Sequence, residues 1–244
     1  MVQNREFDTF LDLLDLDSDI IPENFDNSAP SKYISLFPAF EDVFDKESFY
    51  LKEIIHPLGS INLKLLDPNL PDIILHLIHF NDDQSEQSRV FDDFCDDYQV
   101  AFALKNNKYI FKGPKEYFLN HSNEWKEWIA RTKLSYEQRL VEYRRFGFLN
   151  YMHSEGSSGE KNPIFRQIGG IPIRMKSDIN HLFKDRYNNY KIDITNYYPL
   201  NAQGDKYTFI GEYWVNDFIR YDSKDYQIFI DLPTNHIILR WSYA

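Results

Sequence analysis

The chain has 244 residues, 43% of them hydrophobic and 27% charged, so it is long enough to bury a core and too apolar to stay disordered. Its formal charge is −11, from 38 acidic and 27 basic residues, which argues against general affinity for phosphate backbones. Cys95 is the only cysteine, which excludes an internal disulfide and a multi-cysteine zinc site. The opening residues lack a basic stretch followed by an apolar one, and apolar runs such as 73–80 end well short of the roughly 18 residues a membrane helix requires. The expectation is a cytoplasmic protein with no membrane segment.

Charge is unevenly placed. Residues 1–100 hold 22 acidic and 6 basic side chains, whereas residues 101–244 hold 16 and 21; such asymmetry is a cue for an interaction surface. In residues 7–19, Phe7, Phe10, Leu11 and Leu14 follow helical spacing, and Asp8, Asp12, Asp15 and Asp19 form a second stripe. Residues 22–30 read as a loop and 38–52 as a helix. Two strands follow, 60–66 and 72–80, separated by the turn sequence Asp67-Pro68-Asn69-Leu70-Pro71. A second acidic group comprises Asp82, Asp83, Glu86, Asp92, Asp93, Asp96 and Asp97, and the spacing of the last four predicts a shared helix face around Phe91, Phe94 and Cys95. Both acidic stripes also suit ordinary solvated faces that offset the basic half. Like carboxylates four residues apart repel by a few tenths of a kcal/mol, a cost that a basic partner would relieve.

Residues 98–104 and 108–112 flank Lys105-Asn106-Asn107 and predict a hairpin, because Asn tolerates the positive φ of tight turns. Residues 115–146 read as helix, with Trp125, Trp128, Ile129 and Leu134 apolar, a break near Leu134 where Ser135 and Gln138 resemble a capping box, and a stop at Gly147. The polar stretch 153–163 reads as a flexible loop or a boundary. Residues 207–214, 226–232 and 236–241 are β-branched and aromatic, the last two joined by Pro233-Thr234-Asn235. Helices grouped between strand blocks predict an α+β fold with a mixed, mainly antiparallel sheet. We read residues 1–244 as one domain with an acidic subregion, 1–150, and a mainly β subregion, 163–244.

No complete catalytic motif is present. His76 and His79 fall on a predicted strand, where odd spacing sends them to opposite faces, so neither a metal site nor a cofactor is expected. The aspartates around Cys95 disfavour a thiolate. Ser154, Ser157 and Ser158 beside His153 lack a Gly-x-Ser-x-Gly elbow. Lys133, Arg139, Arg144 and Arg145 with Tyr136 and Tyr143 form the best basic-aromatic patch for RNA, but a solvated helix face that pairs with Glu137, Glu142 and the acidic half accounts for them better, and no nucleic acid partner is expected.

The stretch Ile164-Phe165-Arg166-Gln167-Ile168-Gly169-Gly170-Ile171-Pro172, then Tyr207-Thr208-Phe209-Ile210-Gly211-Glu212 and Tyr226-Gln227-Ile228-Phe229-Ile230-Asp231, resembles the YwqG-like bacterial family over about residues 163–244. Glu212 stands where that family usually has Gln, and Arg174-Met175-Lys176 where an aromatic and a Gln are usual. The resemblance implies an α+β fold, no catalytic residues, turn or bulge roles for Gly169, Gly170, Pro172 and Gly211, and a setting beside bacterial toxins. Together with the acidic half it leads to an expectation: a non-enzymatic immunity protein that inhibits a basic cognate toxin acting in the cytosol, a nuclease or a nucleotide- or NAD-attacking enzyme. The partner-binding residues would be Asp8, Asp12, Asp15, Asp92, Asp93, Asp96 and Asp97, with Trp125, Trp128, Trp214 or tyrosines as anchors. The alternative is a small-molecule-binding domain or enzyme with an aromatic pocket.

Overall fold

The computed structural model describes residues 29–81, 91–119, 123–153, 156–161, 163–172, 197–220 and 222–243. Eleven strands are described: β1 (Ile34–Leu36), β2 (Ile55–Asn62), β3 (Ile74–Phe80), β4 (Gln99–Lys105), β5 (Lys108–Phe111), β6 (Asn150–His153), β7 (Gly156–Lys161), β8 (Gln167–Ile168), β9 (Thr208–Trp214), β10 (Lys224–Asp231) and β11 (His236–Tyr243). Three helices accompany them: α1 (Phe40–Val43), α2 (Glu116–Leu119) and α3 (Asn123–Phe146). The strands form a six-stranded antiparallel sheet, β5-β4-β11-β10-β9-β8, a three-stranded one, β1-β2-β3, and the hairpin β6-β7. The fold is α+β.

Local chemistry accounts for the two clearest hairpins. Asn106 and Asn107 have φ of 53° and 58°, the left-handed pair that joins β4 to β5 with a twist matching the strands. Replacing Asn106 with Ala should cost about 1 kcal/mol, because a Cβ without a polar group is disfavoured there, while Asn106→Gly should cost nothing; paired urea titrations check this. Asn235, at φ 53°, is the single left-handed residue in the four-residue turn 232–235 that joins β10 to β11.

Elsewhere tertiary contacts override the periodicity. The helix expected over 38–52 is interrupted at Phe44, which is fully buried and bridges to Tyr109 in extended conformation. Asp45 then caps a separate 3-10 turn, Lys46–Leu51. β2 begins at Ile55 rather than 60 and ends at Asn62, with Leu63–Leu65 in a 3-10 turn. Its residues are buried on both faces, which erases the alternation that marks a strand. The helix break near Leu134 is absent: α3 runs through, and the Ser135 hydroxyl accepts the Arg220 N–H at 2.9 Å instead of capping. Trp128 and Leu134 lie exposed, while Tyr136, Leu140 and Tyr143 pack on the core. Gly147 stops the helix at φ 76°, its N–H bonded to the Tyr143 carbonyl. Much of the polar stretch after 153 is not a loop, since Gly156–Lys161 pairs with β6 through backbone bonds that need no apolar side chains.

The open edge of β3 meets a face of the large sheet. Residues 74, 76, 78 and 80 turn their free backbone groups toward it, and each finds a side-chain partner. Asn107 Oδ1 accepts the Ile74 N–H at 3.1 Å. The Tyr109 hydroxyl accepts from His76 N at 2.8 Å and donates to its carbonyl at 3.1 Å. Tyr213 does the same for Ile78, at 3.2 and 2.7 Å. Lys224 Nζ and the Tyr226 hydroxyl both donate to the Phe80 carbonyl. An edge strand that would otherwise be an aggregation template is thereby sealed inside the molecule. One continuous core cluster runs from Ile34 to Trp241 through both sheets, and a smaller one, around Ala101, Phe209, Phe229 and Ile238, covers part of the outer face.

Candidate functional site

The acidic group at 92–97 does not form a helix. Asp92 and Cys95 bridge each other, Cys95 bridges Val100, and the chain doubles back tightly. Asp92 Oδ1 accepts the N–H groups of Phe94 at 2.7 Å and Cys95 at 3.0 Å. Asp96 Oδ1 accepts from Tyr98 N at 2.7 Å, and the Asp96 carbonyl accepts from the Tyr117 hydroxyl. An Asp that bonds its own backbone two residues on favours turns over helices, which is why the helical spacing here misleads. Asp92, Asp93 and Asp96 are exposed and Asp97 half-buried. Phe91 and Tyr98, 44% and 54% exposed, flank them. The turn is anchored from below by Cys95, whose thiol is pushed up to about 12, first by burial and then by Asp92. Gly113 leaves the room for it, since a Cβ there would come within 2.9 Å of its Sγ.

Asp8, Asp12, Asp15, Asp82, Asp83 and Glu86 lie outside the described residues, as does Ser154. Of the three tryptophans expected as anchors, Trp128 is exposed, with the Arg131 guanidinium over its ring, while Trp125 and Trp214 are half-buried. The basic-aromatic patch on α3 is divided: Arg144 and Arg145 are exposed, whereas Arg139 is buried and Tyr136 and Tyr143 pack on the core. Arg139 is 2% exposed and donates to the Asp217 carbonyl and to Glu142. The Tyr136 hydroxyl donates to the Pro57 carbonyl, and Lys133 pairs with Glu53.

Two polar groupings went unseen in the sequence. On the outer face of the large sheet, directly opposed residues place Gln167, Glu212, Gln227, Arg240 and Gln99 in a row across five strands. Glu212 is buried, accepts from Gln227 at 2.8 Å, and has its carboxyl held above the usual range by burial. Burial likewise raises Asp225, which Arg166 opposes from 3.3 Å while stacking 4.4 Å over Trp214. Gln167 closes the turn at Gly169 and Gly170, both at positive φ, by donating to the carbonyls of Gly169 and Ile171. Gly211 is a close-approach position: a Cβ would sit 2.6 Å from the Gln167 carbonyl oxygen. The bulge in β9 falls beside it, at Ile210.

The second grouping is Ser60 with His76, opposite each other on β2 and β3. Counting back from the 67–71 turn pairs Ser60 with Ile78; the observed register, with Asn62 opposite Ile74, is shifted by two and brings His76 there instead. His76 and His79 do occupy opposite faces of β3. His76 bonds Ser60, whereas His79 lies 3.3 Å from Asp222 and stacks near His56. Among the described residues no group of three or more His, Cys, Asp or Glu could hold a metal ion, and no helix is long and apolar enough to cross a membrane. No protein-family model matches the chain, and no match is found among curated proteins or solved structures.

Proposed function

We propose that this protein is an immunity-type inhibitor that binds a basic toxin enzyme through the turn at 91–98. The observation that carries the reading is the build of that turn: carboxylates at its surface, exposed aromatics on both sides, and a backbone already bonded into one shape. Prior ordering spares the complex the entropy of immobilising a loop. Carboxylates steer a basic partner to the surface and set the on-rate, while Phe91 and Tyr98 supply apolar area that slows dissociation. A nuclease fits such a surface best, because a cleft that binds a polyanion is itself basic. The resemblance of residues 163–244 to the YwqG-like family supports the toxin setting.

The test is capture of the product of the adjacent gene by the tagged protein, at low and at high salt. Asp92, Asp93, Asp96 and Asp97 are changed together to Asn, which removes charge yet leaves Oδ1 atoms to accept the turn's hydrogen bonds. The on-rate at low salt should fall about tenfold or more, and Phe91→Ala with Tyr98→Ala should speed release. Capture unaffected by either set of changes would overturn the assignment of this turn.

A further inference from the structure

Ser60 Oγ lies 2.7 Å from His76 Nδ1, and His76 Nε2 lies 2.7 Å from the carbonyl oxygen of Asn107. A carbonyl only accepts, so Nε2 carries a proton. The ring is neutral, because burial pushes His76 down to about 4, with the Asn107 carbonyl and Asp42 opposing and Lys108 adding to the depression. Nδ1 is then a lone pair, and the Ser60 hydroxyl donates to it. This is the order nucleophile, base, orienting acceptor that activates a serine. The orienting carbonyl is itself fixed, since Asn107 sits in the left-handed hairpin turn and its side chain accepts the Ile74 N–H.

Both side chains line a cleft of about 330 Å³, together with Asp42, Ile74 and Asn107. That volume suits a small ligand. Lys32 lines the same cleft, its Nζ held 4.5 Å over the Tyr33 ring. We propose that the cleft is a reactive site for small carboxylic esters, with Ser60 as nucleophile and His76 as general base. Ser60 Oγ adds to the ester carbonyl carbon while its proton passes to His76 Nδ1. Collapse of the tetrahedral adduct breaks the bond to the alcohol, which leaves with that proton. Water then adds to the acyl-serine, giving a proton to Nδ1, and the second collapse releases the carboxylic acid and returns the proton to Oγ. This site is built from β1, β2, β3 and the β4-β5 turn and is independent of the 91–98 surface.

The test uses the full chain with a fluorophosphonate probe, mapping the adduct by mass spectrometry, and with p-nitrophenyl acetate, following p-nitrophenol release. The expected result is an adduct on Ser60, lost in Ser60→Ala, with a labelling rate about 100-fold lower in His76→Gln, the low end of general-base effects, as befits an imidazole that burial makes a weak base. Wild-type protein unfolded in urea serves as a second measurement should His76→Gln fail to fold; it should label at least as slowly as that variant. No adduct on Ser60, or equal labelling of folded and unfolded protein, would overturn the proposal.

Discussion

Tyr213→Phe is expected to destabilise the protein by about 2–4 kcal/mol and to lower its Tm by roughly 5–15 °C. The substitution keeps the ring, which stacks on Tyr226 at 5.3 Å, and removes only the oxygen. That oxygen alone serves both the N–H and the carbonyl of Ile78 across the sheet junction. Both groups would be left buried and unpaired, and each such group costs about 1–3 kcal/mol. Tyr109→Phe should behave alike through His76, whereas exposed Tyr98→Phe should change stability by less than about 0.5 kcal/mol. Urea titration of the three variants checks this. A Tyr213→Phe variant as stable as wild type would show that the hydroxyl ladder does not hold the two sheets together.

Acid should weaken the fold through its buried histidines. His56 is pushed down to about 3, chiefly by burial and then by His79, and His76 to about 4. Unfolded, each would titrate near 6.5. Above that value both states are neutral and stability is full. As pH falls below it, the unfolded chain takes up protons that the folded chain refuses, costing about 1.4 kcal/mol per pH unit for each histidine. By pH 4 the loss is about 3 kcal/mol from each. Glu212 and Asp225, whose carboxyls are raised by burial, act in the opposite sense at the acid end, because the folded state protonates first. Glu41 and Glu53, lowered by Lys52 and Lys133, add to the loss there. Urea unfolding at about pH 7.5, 6 and 4.5 measures the slope. His56→Gln should remove one proton's share of it, and an unchanged slope would mean that His56 is not held neutral.

The hairpin at Asn106-Asn107 and the paired strands β10 and β11 are legible in the sequence because turn residues and β-branched residues act locally. The α+β class follows from the same local signals. The 92–97 turn shows the limit of periodicity. Four aspartates at helical spacing satisfy a helix template, yet Asp92 and Asp96 spend their oxygens on nearby backbone N–H groups, and a spacing pattern does not encode that choice. The Lys133 to Arg145 patch fails for a related reason. Position on a helix surface does not say which neighbour arrives: Asp217, from a distant part of the chain, takes Arg139 into the interior, and Pro57 holds the half-buried Tyr136 against the core.

By itself, then, the sequence determined the acidic balance, the single cysteine, the hairpin turns and the mixed fold class, all set by composition or by interactions within a few residues. Only the tertiary structure decided that β3 is an edge sealed by Tyr109, Tyr213, Tyr226 and Lys224, and that Ser60 meets His76. Those contacts join residues far apart in the chain, and backbone groups on a strand edge bond to whichever side chain the packing of the two sheets brings within reach.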